Sequence, residues 1–460
     1  MSFSNLPFDD LPKIVIRNAV IVNEGIQKTA DVLIKNGRIE KIQHSITGVS
    51  DAKNIDAEGG WLIPGMIDDQ VHFRDPGAAH KGTVKSESMA AAVGGITSYM
   101  DMPNTQPATL DLNALHQKKL NAAAHSMANY AFHFGVSADN SADNIDIVEN
   151  LDPKLVSGVK VFMGASTGNM LVDDPQTLER LFSNVPTILL THCESTPRIK
   201  KREQHYKEKY GDDIPAVMHA RIRDKQACFE SSSMAVALAE KYGTQLHVLH
   251  ITTAKEICLF KNLSLDKKHI TAEVCVHHLS FDDTDYDMLG HLIKCNPAIK
   301  TAQDRQALIQ AVSESNRLDI IGTDHAPHTW QEKQQSYFNA PAGLPLVQHA
   351  LPALMELVAD KQMSIETLVR KTSHQVADLF RIKDRGYIRE GYWADLVLLK
   401  ENKEKVMVSD THNYMHCHWT PFAHKAFRYS VDTTLISGQL AWHQNQLFPN
   451  CRGQSLGIDR

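Results

Sequence analysis

The chain is poor in several features that would each have pointed to a class of protein. It has only seven cysteines in 460 residues, and no two of them stand as C-x-x-C. An odd, scattered set argues against a disulfide framework or a cysteine zinc site, and for free thiols in a reducing compartment. No run of about 18 apolar residues occurs, so no helical membrane span is predicted. The opening MSFSNLPFDD lacks the basic-then-apolar pattern of a secretory signal. Basic residues are not in excess: the net charge is -6 and the pI is near 6.5, which leaves no electrostatic footprint for nucleic acid. Low-complexity tracts, long linkers and short-period repeats are missing as well. The expected setting is the cytoplasm, with neither nucleic acid nor membrane as a partner.

What is present is ordinary in bulk and specific in arrangement. Apolar residues make up 42% and charged residues 22%, as in soluble globular proteins. The length accommodates a barrel of about 250 residues with an accessory unit. Eight apolar runs recur, each ending in small or polar residues: GMIDDQVHF (65–73), GITSYMDMPN (95–104), YAFHFGVS (130–137), GVKVFMGAS (158–166), PTILLTHCE (186–194), QLHVLHITT (245–253), HITAEVCVHH (269–278) and DIIGTDHAPH (319–328). Helical periodicity lies between them, as in KSESMAAAV (85–93) and DRQALIQAVSES (304–315). Near-continuous apolar strands alternating with helices predict a parallel sheet buried on both faces. Eight such units predict a closed (β/α)8 barrel, with an open doubly wound sheet as the alternative.

The two ends read as β-rich: KIVIRNAVIVNE (13–24), ADVLIKNGRIEKI (30–42) and GWLIPG (60–65), then GYIREGYWADLVLLK (386–400) and TTLISGQLAWH (433–443). Asn36-Gly37 is a hairpin-turn signal. Neither end carries enough apolar surface to fold alone. The expected organisation is therefore a barrel over 65–385, flanked by segments 1–64 and 386–460 that pair into one small β-sandwich.

Potential metal ligands sit at the ends of separate barrel strands. His72 ends the first, Lys160 lies in the fourth, His192 ends the fifth, His250 the sixth and Asp324 the eighth. Imidazole nitrogen and carboxylate oxygen are zinc donors, and a catalytic zinc keeps one position open. Each residue has a bland alternative: a histidine at a strand end is often a structural hydrogen-bonder, GTDHAPH is compatible with a polar loop, and Lys160 with a buried ion pair. Their coincidence on one predicted face favours a shared site.

At these positions the chain resembles the amidohydrolase superfamily and, within it, the dihydroorotases. The resemblance is carried by PGMIDDQVHFRDPG (64–77), AAVGGITSYMDMPNTQP (91–107), GVKVFMGASTGNM (158–170), THCES (191–195), LHVLHITTA (246–254), GTDHAPHT (322–329) and the tail segments GYIREGYWADLVLL (386–399) and CHWTPF (417–422). It implies one or two zinc ions, with Lys160 carboxylated by carbon dioxide as a bridging anionic ligand. His192 and His250 would hold the more buried ion; His72 and Asp324 would hold the other. Asp324 would also shuttle the proton while a zinc-activated water, with its pKa lowered to about 7, attacks a ring amide. His247 is expected to be structural. The resemblance further implies that Arg74 and Asn104 grip a substrate carboxylate, that Asn296 and His328 contact the pyrimidine ring, and that backbone around Ala342 and Gly343, in NAPAGLPLVQHALPAL (339–354), closes on it. It also implies a homodimer.

One position departs from the family pattern. Dihydroorotases carry His-x-His at the end of the first strand, where this chain has Gln70-Val71-His72. An amide oxygen is a weaker zinc ligand than imidazole, so the second ion is expected to be weak, absent, or supported by Asp68 or Asp69. Two other readings stand beside reversible hydrolysis of dihydroorotate to N-carbamoyl-L-aspartate in pyrimidine biosynthesis. One is another cyclic amidohydrolase, an allantoinase or a dihydropyrimidinase; dihydropyrimidinases, whose substrates lack the carboxylate, have no need of Arg74 and Asn104. The other is a non-catalytic amidohydrolase-like scaffold, favoured only by Gln70.

Overall fold

Strand propensity at the N-terminus is realised as a meander. In the computed structural model, which describes residues 11–137, 141–164 and 170–460, β1 (Lys13–Asn23), β2 (Ile26–Lys35) and β3 (Arg38–Gln43) pair antiparallel in sequence. Asn36 and Gly37 both have positive φ, 53° and 78°, the left-handed pair that a tight hairpin turn demands. Next, β4 (Ala52–Asp56) and β5 (Trp61–Pro64) run parallel to β1.

The chain then enters eight parallel strands: β6 (Met66–Val71), β7 (Ile96–Asp101), β8 (Asn129–Gly135), β9 (Gly158–Phe162), β10 (Leu189–His192), β11 (Leu246–Val248), β12 (Ile270–Cys275) and β13 (Ile320–Gly322). Each pairs with the next in order. All residues of β6 through β11 are buried, because helices cover one face and the strands enclose the other. The ladder closes: Val71 bridges His325 in parallel, and the His72 main-chain N–H donates to the His325 carbonyl at 2.7 Å. An open doubly wound sheet is thereby ruled out in favour of the (β/α)8 barrel. Residues 165–169, within the 158–170 motif, and the opening MSFSNLPFDD lie outside the described residues.

Both chain ends join one further sheet. β14 (Leu396–Met407), β15 (Ala426–Ile436), β16 (Gln439–His443) and β17 (Gln446–Leu447) extend the order β17-β16-β15-β14-β5-β1-β2-β3, with β4 on β1. The seam is the antiparallel pair β5–β14, in register from Leu396 opposite Pro64 to Leu399 opposite Trp61. Alternation sorts the side chains. Leu62, Leu396 and Leu398 join Ile14, Ile16 and Val32 in the sheet's own core, whereas Ile63, Val397 and Leu399 join the core of the barrel. Within the β-rich 386–400 segment the strand begins only at Leu396, and Gly386 and Gly391, at φ 81° and 85°, turn the chain before it. All seven cysteines are free, and among the described residues no helix is long and apolar enough to cross a membrane.

A buried polar knot ties sheet to barrel. Asp395 is ion-paired with Arg385 and accepts from Asn129 of β8 at 3.0 Å and from the Ser437 main chain at 2.7 Å. Asn129 in turn accepts from the Ser437 hydroxyl and the Gln454 main chain, both at 3.0 Å. Removing one partner of such a pair strands an uncompensated charge. Asp395→Ala is therefore expected to lower unfolding free energy by about 3–5 kcal/mol, measured by denaturant titration, whereas loss of the half-exposed Arg38–Asp384 pair costs less than about 1 kcal/mol.

Candidate metal centre

Parallel strands in a closed barrel deliver their C-terminal ends to one rim. His72 follows β6, Lys160 lies in β9, His192 ends β10, His250 lies two residues beyond β11 and Asp324 two beyond β13. They line one cavity of about 260 Å³ together with Arg74, Asn104, Asn296, His328, Ala342 and Gly343. Every site residue singled out in the sequence thus reaches the same cavity, as does Gln70. Three of the rim residues have left-handed backbone: Arg74 at φ 66°, His250 at 39° and Asp324 at 50°. Such conformations cost of order 1–3 kcal/mol each outside glycine and recur at functional sites.

The hydrogen bonds define which atoms remain available. His72 Nδ1 lies 2.6 Å from Asn104 Oδ1, so the ring hydrogen sits there and Nε2 turns its lone pair toward Asp324 Oδ1 at 3.1 Å. Gln70 donates from Nε2 to the same Asp324 oxygen at 3.1 Å. His192 donates from Nε2 to Glu194 at 2.9 Å, and Glu194 is anchored by Arg223. The freed His192 Nδ1 stands 3.1 Å from His250 Nε2. Two zinc-bound nitrogens at the usual bond lengths are separated by roughly 3.3 Å in a tetrahedron, so the two imidazoles are already spaced as chelating ligands. Lys160 Nζ, His250 Nδ1 and Gln70 Oε1 are buried without a hydrogen-bond partner. Orphaned nitrogen and oxygen donors beside a histidine pair are what a metal would satisfy, so this donor set fits a zinc-type ion.

Burial sets the charge states in opposite directions according to partner. It drives the Lys160 ammonium down to about 8, opposed in part by the Asp324 charge. Glu194 would be raised by burial, but Arg223 and His192 hold it at about 2. Burial lowers Arg74 to about 10. Arg74 contacts the Pro327 carbonyl at 3.1 Å and His328 at 3.0 Å, and no carboxylate pairs with it among the described residues.

Residues 61–441 match the amidohydrolase family. The chain is an amidohydrolase. It is 29% identical over 440 residues to a dihydroorotase of Methanosphaera stadtmanae, covering 95% of this chain and 98% of that one. A dihydroorotase of Halobacterium salinarum is 30% identical over 433 residues, covering 93% and 96%. Among solved structures, an L-hydantoinase (dihydropyrimidinase) from Arthrobacter aurescens superposes with a TM-score of 0.88 at 23% identity, covering 97% of this chain and all of that one. A dihydropyrimidinase from Brevibacillus agri gives 0.85 at 24%, covering 95% and 96%.

Some features of this amidohydrolase's site were not singled out in the sequence. Glu194 and Arg223 orient His192, and the signal was available in THCES as a carboxylate two residues past that histidine. Phe162 lies under Lys160, its ring centroid 4.5 Å from Nζ. Asp68 cannot support the outer position: both of its oxygens are taken by Thr323, through the main-chain N–H at 3.0 Å and the hydroxyl at 2.6 Å. His247 does not line the cavity. Cys275, His277 and His278 converge closely enough to share an ion. Burial and the Glu273 charge, however, drive the Cys275 thiol well above its ordinary pKa, which disfavours the thiolate a metal needs.

Carboxylates that orient a metal-binding histidine typically contribute 10- to 100-fold in metal affinity. Glu194→Gln should therefore weaken metal binding by about 10- to 100-fold in a chelator competition, with the fold retained by circular dichroism.

Proposed function

We propose that this amidohydrolase is a dihydroorotase, interconverting dihydroorotate and N-carbamoyl-L-aspartate. The observation that carries the reading is Arg74: a partly buried guanidinium lining the cavity with Asn104 and without a carboxylate partner. A cation left unpaired in a substrate cavity is matched by an anionic substrate. Dihydroorotate has a carboxylate on its ring, whereas dihydrouracil, hydantoin and allantoin do not.

His192, His250, His72, Asp324 and a carboxylated Lys160 would hold zinc. Bound there, zinc supplies a water of lowered pKa and polarises the scissile carbonyl. The chain's own groups do the rest. Arg74 and Asn104 take the ring carboxylate, which fixes the amide over the strand ends. Asn296, His328 and the backbone at Ala342 and Gly343 border the ring. In hydrolysis the water oxygen adds to the amide carbon and the ring C–N bond breaks. Asp324 accepts the water's proton and delivers it to the departing nitrogen. Gln70 donates to one Asp324 oxygen and so holds the carboxylate in place for that transfer. Retention of this costly polar cluster also weighs against a non-catalytic scaffold, because buried unpaired donors destabilise a fold that has no use for them.

Loss of a charge-assisted bidentate contact costs about 1.5–3 kcal/mol, or roughly ten- to a hundredfold. Arg74→Ala should lower kcat/KM for dihydroorotate by at least that factor and leave bound zinc unchanged. A panel of dihydroorotate, allantoin and dihydrouracil on both proteins checks it. Full activity in Arg74→Ala, or wild-type preference for a neutral ring, would sink the assignment.

Lysine carboxylation joins the neutral amine to carbon dioxide and releases one proton. With Lys160 lowered to about 8, the neutral fraction rises with pH below that value and levels off above it. At fixed dissolved carbon dioxide, the carboxylation rate of metal-free protein should rise close to tenfold per pH unit up to about pH 8, then plateau. Carbon-13 NMR of labelled carbamate measures this. A rate flat from pH 6 to 9 would contradict the assignment.

A further inference from the structure

Below the cavity, the barrel interior holds a second polar group that the hydrolytic site does not use. Asp69 of β6, His247 of β11 and Glu273 of β12 are each completely buried, and one potential ligand atom from each lies within 4.8 Å of the others. The ring state of His247 follows from its neighbour. Thr271 Oγ1 donates to the Leu246 carbonyl at 3.1 Å, so it accepts from His247 Nδ1 at 2.8 Å. The hydrogen therefore sits on Nδ1, and Nε2 presents a lone pair. That lone pair faces Asp69 Oδ2 at 3.6 Å, beyond hydrogen-bond range. Neither oxygen of Asp69 nor His247 Nε2 has a hydrogen-bond partner. Glu273 accepts the His250 main-chain N–H on Oε2 at 3.0 Å, while Oε1 meets only the Cys275 thiol, at 3.6 Å.

The surrounding backbone is shaped for this convergence. A Cβ on Gly322 of β13 would lie 1.9 Å from Glu273 Oε1 and 2.9 Å from Asp69 Oδ1, so only glycine leaves room for both carboxylates. Two carboxylates and an imidazole lone pair, all dry and within 4.8 Å of one another, repel unless a proton or a cation lies between them. Burial and the Asp69 charge push the Glu273 carboxyl well above its ordinary range. A dication balances the two carboxylates. In a tetrahedral zinc site with bonds of roughly 2.0–2.2 Å, ligand atoms stand about 3.3–3.6 Å apart, which matches the spacing of His247 and Asp69. The threonine on Nδ1 then plays the part usual beside a metal-bound histidine, fixing its tautomer.

We propose that Asp69, His247 and Glu273 form a structural zinc site inside the barrel, separate from the hydrolytic centre above it. The ion clamps β6, β11 and β12, the strands whose ends carry Gln70 and His72, and His250. The site stands whatever the substrate of the cavity, because none of its ligands lines that cavity.

Crystals of the zinc-loaded wild type, measured on both sides of the zinc absorption edge, test the site directly. The expected result is an anomalous peak enclosed by the three side chains, distinct from any peak at His192 and His250. Zinc content by mass spectrometry gives a second readout. Asp69→Asn and His247→Gln should each bind one zinc fewer than wild type, while His192→Ala should retain the interior ion. Zinc density confined to the upper cavity, or an unchanged zinc count in folded Asp69→Asn, overturns the proposal and assigns the cluster a shared proton instead. Should neither variant fold, the wild-type anomalous map alone decides. Absence of zinc at His192 and His250 would count against the hydrolytic reading and not against this one.

Discussion

The parallel ladder closes where Val71 bridges His325, and the site depends on that junction. Here His72 and His325 share a main-chain hydrogen bond, and Asp68 takes up the Thr323 N–H and hydroxyl. His325 is itself fixed at both ring nitrogens. It accepts from the Leu346 main chain on Nδ1 at 2.9 Å and donates from Nε2 to Glu87 at 2.9 Å. Glu87 also accepts the His416 main-chain N–H at 3.0 Å, so the C-terminal tail braces the same point. Without closure, His72 and Asp324 would lie at opposite edges of a sheet; with it, they face each other across 3.1 Å.

Closure also makes the interior dry, and dryness amplifies every charge inside it. Lys160 and Glu194 are fully buried and Arg74 partly so, yet their proton affinities diverge because their neighbours differ. Glu194 has a guanidinium and an imidazole to hold its charge; Lys160 has only more distant carboxylates. The contrast suits the roles proposed for them: Glu194 as the anion that orients His192, and Lys160 as the neutral amine that would add carbon dioxide. Arg74 keeps its charge even with its pKa lowered to about 10, which leaves a permanent cation facing the cavity.

Gln70 shows how one substitution is absorbed locally. Its amide nitrogen donates to Asp324, which a neutral imidazole could equally do, but its free oxygen is a poorer metal donor than a ring nitrogen. The adjoining residue is a buried aspartate whose two oxygens are unpaired. The strand thus places a weak oxygen donor at the rim and an unpartnered aspartate one layer down.

The eight barrel strands, their order and the residues at their ends were legible in the sequence, because burial on both faces leaves long apolar runs and polar groups bound for the rim stop them. The Asn36-Gly37 turn and the helices over 85–93 and 304–315 were legible for the same local reason. That the two ends would pair followed from their shortage of apolar surface, but the β5–β14 register did not. Nor did the Glu194–Arg223 anchor, since contacts between distant residues leave no periodic trace. Asp69 makes the limit plain. Regular alternation turns residues 68 and 70 one way and residue 69 the other, so a strand reading cannot send both 69 and 70 inward. The β6–β7 ladder slips register between Asp68 and Val71, and an irregularity of this kind lets neighbouring side chains share a face. Gln70 thereby reaches the cavity and Asp69 the interior beneath it. Composition and pattern decided which groups the barrel would carry; only the closed, locally slipped ladder decided which of them would meet.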